Sequence, residues 1–190
     1  MENRVTDTIS LERLRPNTIP LYCQIGEQSY REHYLHLWKN ENPESYLNDS
    51  FVPNTVKREL DDHNCAHYIV LYQKRPAGVF KLILHKAVGH YGESEALLLQ
   101  KIYLKQRMTG LGVGKVCLDF VCQLAQEMGK KVVWLDTMKK SRALPFYQGY
   151  GFHIVGETQL PYQHIRKGER EQYILVKEIP LTNPSAPPSS

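Results

Sequence analysis

Apolar residues recur along this chain with two different periods, and the change from one to the other falls near residue 66. Before it, Leu21, Ile25, Tyr34, Leu37 and Trp38 keep a roughly helical spacing, and Asn17-Thr18 ahead of Ile19-Pro20 reads as the start of that helix. A strand over residues 8–14 precedes it, carrying Ile9, Leu11 and Leu14 with imperfect alternation. Asn42-Pro43 and Pro53-Asn54 open two short helices, the second ending near Asp62. Beyond residue 66 the pattern becomes that of strands. Residues 68–72 form a buried strand, 75–78 a turn and 79–84 the next strand; a polar turn over 89–94 leads to a third strand, 97–104. The links are too short for crossover helices, so these strands form an antiparallel meander.

The second half alternates helix and strand. Val113, Val116, Cys117, Phe120, Val121, Leu124, Ala125 and Met128 make one continuous helix face that Gly129 caps. Residues 132–135 follow as a buried strand, giving a parallel βαβ unit with strand 97–104. A short helix over 142–150, a turn at Gly151 and strands over 152–159 and 172–179 complete the pattern. The predicted fold class is α/β: a central, mostly antiparallel mixed sheet with one parallel βαβ unit and helices on both faces.

Composition adds bounds. The 190 residues fit a single domain over 1–181 with a core that needs no staples, and the Pro/Ser-rich stretch 182–190 is expected to be a disordered tail. No apolar run reaches bilayer length and no signal peptide opens the chain, so the expected location is cytoplasmic, with no membrane partner. The net charge of +4 suits a polyanionic cofactor, but basic residues are scattered instead of striped, which argues against nucleic acid as a partner. Cys23, Cys65, Cys117 and Cys122 show no Cys-x-x-Cys pairing, and His33 and His36 have no third ligand in view. No disulfide framework or metal site is expected, and the two histidines read as a solvated helix face.

The densest chemistry lies in Ile102-Tyr103-Leu104-Lys105-Gln106-Arg107-Met108-Thr109-Gly110-Leu111-Gly112-Val113-Gly114-Lys115: a strand, a loop with three glycines on alternate positions, and a helix N-terminus. Exposed amides and the helix dipole there suit a phosphate or pyrophosphate, and side chains at the glycines would hold the anion off the backbone. A P-loop is excluded, because Val116 follows Gly114-Lys115 and Thr109 stands where its first glycine belongs. A dinucleotide fingerprint also fails, since the sixth position counted from Gly110 is Lys115 and from Gly112 is Cys117. A tight turn with no ligand explains the glycines as well.

One helix and one strand later stands Ala143-Leu144-Pro145-Phe146-Tyr147-Gln148-Gly149-Tyr150-Gly151-Phe152. With both motifs in this order, residues 66–179 resemble the GCN5-related N-acetyltransferase superfamily, which pairs a Gln/Arg-x-x-Gly-x-Gly/Ala loop with a later Ala-x-x-Phe-Tyr-x-x-x-Gly-Phe helix end. The resemblance implies acetyl-CoA as co-substrate and a small-molecule or peptide amine as acceptor. It also implies that the backbone of Ile102, Tyr103 and Leu104 runs beside the pantetheine arm, with Thr109, Gly110, Leu111, Gly112, Val113, Gly114 and Lys115 around the pyrophosphate. If Gly112 and Gly114 are the family glycines, Thr109 takes the Gln/Arg position, and its hydroxyl is expected to cap the helix approach. A shift of two residues puts Arg107 there instead. Lys140 replaces an asparagine common in the family, and Ser141 is expected to take over part of its contact with the cofactor.

Tyr147 resembles the tyrosine that protonates the departing thiolate; its bland reading is a packed aromatic. Gln100 stands where many relatives have a glutamate base and cannot accept a proton usefully, so Glu95, His85 and His90 become candidate substitutes, each also readable as an ordinary surface or strand residue. Tyr22, Tyr30, Tyr34, Trp38, Tyr46 and Phe51 either wall an acceptor pocket or fill the core. Lys101, Lys105, Arg107 and Lys115 flank the loop, as phosphate contacts or as a solvated face. The expected activity is direct acetyl transfer in a ternary complex. Its alternatives are a non-catalytic acyl-CoA-binding module, which the missing glutamate favours, and a nucleotide-binding protein, which Val116 disfavours. Homodimer formation stays open.

Overall fold

A two-residue turn sets the frame of the sheet. Strands β3 (Cys65–Tyr72) and β4 (Arg75–Ile83) are joined by Gln73 and Lys74, both with positive φ, 50° and 62°, the backbone that matches strand twist in a tight hairpin. The turn expected over 75–78 is therefore strand: Arg75, Pro76 and Gly78 face Tyr72, Leu71 and Val70, with Ala77 bulged out between them. Pro76, which has no N–H to give a ladder, is tolerated beside that irregularity.

The computed structural model describes residues 8–180 and the backbone of 2–4; the tail over 182–190 lies outside the described residues. The remaining strands are β1 (Glu2–Arg4), β2 (Ile9–Arg13), β5 (Ala96–Leu104), β6 (Val132–Met138), β7 (His153–Gln159) and β8 (Glu171–Glu178). Among the described residues they form one eight-stranded sheet in the order β1-β2-β3-β4-β5-β6-β8-β7, antiparallel except for β5 and β6. The mixed α/β fold expected from the sequence is the fold observed.

Helices α1 (Ile19–Tyr34), α2 (Glu44–Ser50) and α3 (Pro53–Leu60) cover one face, and α4 (Val113–Glu127) and α5 (Leu144–Gly149) the other. Alternation along β3 divides the core: Ala66, Tyr68 and Val70 pack toward α4 with Phe80, Leu97, Cys117 and Val121, while Ile69 packs under α1 and α3 with Val79, Ile25 and Val56. Gly129, with φ +67°, ends α4 as the sequence suggested. The first helix is shorter than its periodicity implied. It stops at Tyr34, Leu21 is exposed, and Trp38 is extended backbone whose buried indole N–H donates to the Tyr30 hydroxyl at 2.9 Å. Among the described residues no helix is long and apolar enough to cross a membrane.

Candidate active site

β5 and β6 pair only at Ala96–Val132, Leu97–Val133 and Leu98–Trp134. Past Leu98 they part: β5 stays with β4 and β6 with β8. The cause is one extra residue. Leu82 faces Leu99 but Lys81 faces Lys101, so Gln100 is a β-bulge that bends the strand. A wedge opens between the diverging strands.

The Lys105 N–H donates to the Ala77 carbonyl at 2.8 Å, which fixes the alternation of the antiparallel ladder. Tyr103 and Lys101 are then the residues that exchange hydrogen bonds with β4, while the N–H and C=O of Ile102 and Leu104 face the wedge. The sheet thus presents an edge inside itself, where an extended chain of amides can add as a further strand. The Leu104 carbonyl is already engaged by His33 Nε2 at 3.0 Å, and the Gln106 N–H donates to Glu32 Oε2 at 2.7 Å. His33 is therefore not part of a solvated face; with Glu32 it clamps α1 to the end of β5.

Beyond Leu104 a short 3-10 turn, Gln106–Met108, buries Met108 and leads through Gly110 (φ +79°) and Gly112 (φ +75°) into α4. A Cβ at either glycine would touch nothing within 4 Å, so the left-handed backbone, not crowding, requires glycine there. Gly114 differs: its Cβ would lie 3.3 Å from Phe146 Cζ, so it lets α5 close over the first turn of α4. The first intrahelical bond runs from Val116 N–H to the Gly112 carbonyl, which leaves the amides of Val113, Gly114 and Lys115 directed out of the helix end. Gly112 is itself the N-cap, with no side-chain cap. The capping role expected of Thr109 is thus not seen: Thr109 ends the preceding turn in extended conformation, three residues too early, and is exposed. Leu111 is exposed as well. Lys115 pairs with Asp119 one turn on, at 2.8 Å, and Arg107 reaches the Pro76 carbonyl at 3.5 Å.

The wedge widens into a cleft of about 460 Å³ that runs through the sheet toward α1 and α2. Tyr147 enters it from α5, buried, with its ring edge-on to Phe152. Burial holds its hydroxyl well above the ordinary tyrosine pKa, and Tyr34 and Asp136 nearby add to the shift, so the group keeps its proton. Ser141 stands just before α5; its Oγ accepts the Ala143 N–H at 3.0 Å and its own proton stays free to donate. On the other side of the sheet, Tyr30 and Tyr46 stack at 4.4 Å, and Tyr103 meets Tyr30 and Tyr34 edge-on. These aromatics do both jobs the sequence allowed, packing on one another and lining the cleft. Tyr22 and Trp38 belong to the core alone.

The substitutes weighed for a base lie elsewhere. Glu95 precedes β5, tied to Lys131 and the Gly92 amide, which hold its carboxyl low. His85 bonds Lys130 at 2.9 Å, and the His90 ring lies tilted against Tyr91. All three sit at the opposite end of the strand from the cleft, because a strand separates its ends by about 3.3 Å per residue. Three other groups do line it, two of which, Asp136 and Glu59, the sequence does not single out. Asp136 reaches solvent through the cleft yet is ringed by protein, which raises its pKa against the opposing hydrogen bond from Gln172 at 2.8 Å. Glu59 on α3 pairs with Lys81 on β4 at 2.7 Å. Lys101, grouped by sequence with the loop, instead projects into the cleft above the Tyr46 and Phe51 rings. Nothing local marks these residues, since their neighbours come from distant segments.

Residues 27–152 match the Acetyltransferase (GNAT) family, and the chain belongs to it. It is 20% identical over 147 residues, 75% of this chain and 83% of the other, to an uncharacterized N-acetyltransferase of Lactobacillus delbrueckii subsp. lactis. Among solved structures it is similar to the PaiA N-acetyltransferase of Thermoplasma acidophilum in complex with coenzyme A, with TM-score 0.70 and 16% identity over 90% of this chain and 99% of that one. It is also similar to the ribosomal-protein-S18-alanine N-acetyltransferase of Escherichia coli, with TM-score 0.64 and 13% identity over 94% and 99% of the two chains.

Proposed function

We propose that this protein transfers the acetyl group of acetyl-CoA to a primary amine by direct attack in a ternary complex. The observation that carries the reading is continuity: the free Ile102 edge leads straight to the outward amides of Val113, Gly114 and Lys115, with Tyr147 opposite. An extended diamide arm ending in a pyrophosphate is the ligand that this path fits, and the Thermoplasma relative was solved with coenzyme A.

In this reading the pantetheine amides pair with Ile102 and the pyrophosphate lies on the N-terminus of α4, held by the loop from Thr109 to Lys115. The Ser141 hydroxyl donates to the arm from the far wall. The amine enters from the tyrosine-lined side and attacks the thioester carbonyl. A wedge-facing N–H takes up the oxyanion charge. The C–S bond then breaks, with the Tyr147 hydroxyl hydrogen-bonding the departing thiolate.

The alternative, a non-catalytic acyl-CoA-binding module, draws support from Gln100, which cannot serve as the base. An acetyl-CoA consumption screen over small amines, amino acids and peptide N-termini separates the two. Turnover with at least one acceptor is expected; tight coenzyme A binding with no turnover across the panel would establish the module instead.

A further inference from the structure

At the level of the bulge, His67, Lys81 and Lys101 stand side by side on β3, β4 and β5, all on the face beneath α1–α3. Lysines inside a sheet need partners, and of the two here only Lys81 has one; His67 is neutral, and its ring nitrogens make no hydrogen bond among the described residues. Glu59 of α3 pairs with Lys81 at 2.7 Å and lies 3.3 Å from His67 Nε2. Lys101, last in the row and first in the cleft, has no carboxylate within ion-pair distance among the described residues. Its ammonium is offered only the faces of Tyr46 and Phe51, at 5.7 and 5.5 Å.

We propose that Lys101 is the general base of the reaction, accepting the proton of the acceptor nitrogen from its place on the tyrosine-lined side of the cleft. The inference rests on the acetyl-transfer reading above. Of the other titratable groups facing this space, Asp49 accepts from the Tyr162 hydroxyl at 3.2 Å, Asp136 accepts from Gln172, Glu59 pairs with Lys81, Tyr30 accepts from Trp38, and Tyr46 and Tyr103 bond each other, while burial keeps Tyr34 and Tyr147 protonated. Gln100, the neighbour of Lys101, has no basic atom. Burial, and after it the Lys81 charge alongside, bring the Lys101 pKa down to about 8; Glu59, Asp49 and Cys65 oppose the shift without cancelling it. Roughly a quarter of Lys101 is then neutral at pH 7.5, with a lone pair to give.

The step balances without a further reactant. The amine nitrogen bonds to the thioester carbon, and its N–H becomes far more acidic than that of the free ammonium. Lys101 takes that proton, the C–S bond breaks, and coenzyme A leaves as thiolate or thiol. The proton on Lys101 returns to water through the cleft.

The test is the pH profile of kcat/KM for wild type, Lys101→Met and Lys101→Arg, with whichever amine the acceptor screen identifies. Wild type should rise through a limb near pH 8, separate from the ionisation of the acceptor at about 10. Both variants should keep coenzyme A affinity, lose that limb and fall roughly 10²–10⁴-fold at pH 7.5. Arginine keeps the charge and the long side chain but cannot accept a proton at this pH. Lys81→Met removes the like charge and should move the limb to higher pH. A Lys101→Arg enzyme at near wild-type rate, or one that keeps the limb, would overturn the base assignment and leave acetyl transfer standing. Absence of wild-type turnover with every amine would remove the acetyl-transfer reading, and this one with it.

Discussion

The two halves of β5 share a backbone and differ in almost everything else. From Ala96 to Leu99 the strand is buried, paired with β6 through Leu98 and with β4 from Leu98 on; its residues are the alanine and leucines of a central sheet strand. From Gln100 to Leu104 it is half exposed, paired on one edge and free on the other, and it carries Gln, Lys and Tyr. One inserted residue separates a buried half from a half that lines the cleft. On the open half the edge that offers hydrogen bonds is as stiff as the strand that forms it, so its groups are in place before anything binds.

The sharpest way to break that contrast is to delete Gln100, and it should have the largest effect. Leu99 and Lys101 would then follow one another opposite Leu82 and Lys81, so the ladder closes and residues 101–104 keep their faces. What the deletion removes is the bend that parts β5 from β6. The free edge at Ile102 and Leu104 then moves relative to the helix end and to Tyr147. Acetyl transfer should fall by more than about 1000-fold, since a misplacement of about 1 Å can alone cost 100-fold, on a protein that still melts cooperatively. A deletion variant with wild-type turnover would show that the bulge positions nothing.

How far the sequence reveals the site follows the same division. The α4 face, the strand at Val132 and the glycine loop are legible because their signals are local: a helical period, an apolar run, backbone freedom at Gly110 and Gly112. The wedge is not, because a bulge is a mismatch between two strands and neither carries it alone. The place of Lys101 is hidden for the same reason, since its environment comes from α2, α3 and β4, each more than 15 residues away in the chain. Thr109 failed as a cap because the helix starts at Val113, and a propensity argument cannot fix a boundary to within three residues.

Next in size is Tyr147→Phe, which keeps the ring against Phe152 and removes the hydroxyl. The maximal rate should fall about 10- to 1000-fold, with melting temperature and coenzyme A affinity little changed. Wild-type turnover would leave Tyr147 a packing residue only. Gly112→Val tests the other end of the wedge. Valine at a φ of +75° costs roughly 1–2 kcal/mol, and relieving that strain tilts the amides that follow. Calorimetry should show coenzyme A bound about 10-fold more weakly or worse, on a protein that still melts cooperatively. Unchanged affinity would move the anion site off this helix end.

The smallest effect expected lies farthest from the wedge, at the inner end of the charged row. His67 is 1% exposed and set edge-on to Tyr22; burial first, then the Lys81, Lys101 and Arg13 charges, lower its pKa to about 3. The unfolded chain binds that proton near pH 6.5, so between 6.5 and about 3 it holds more protons than the folded one. Stability is therefore complete above 6.5 and declines as pH falls through that window, by up to about 1.4 kcal/mol per unit. From pH 6.5 to 5 the His67 contribution is about 2 kcal/mol, or roughly 4–8 °C in melting temperature for a chain of this size. His67→Leu removes the titration, so its melting temperature should fall less than that of wild type over the same interval, whatever its value at pH 7. Equal slopes for the two proteins would mean that His67 can be protonated in place, and that the inner end of the row is as open to water as its outer end at Lys101.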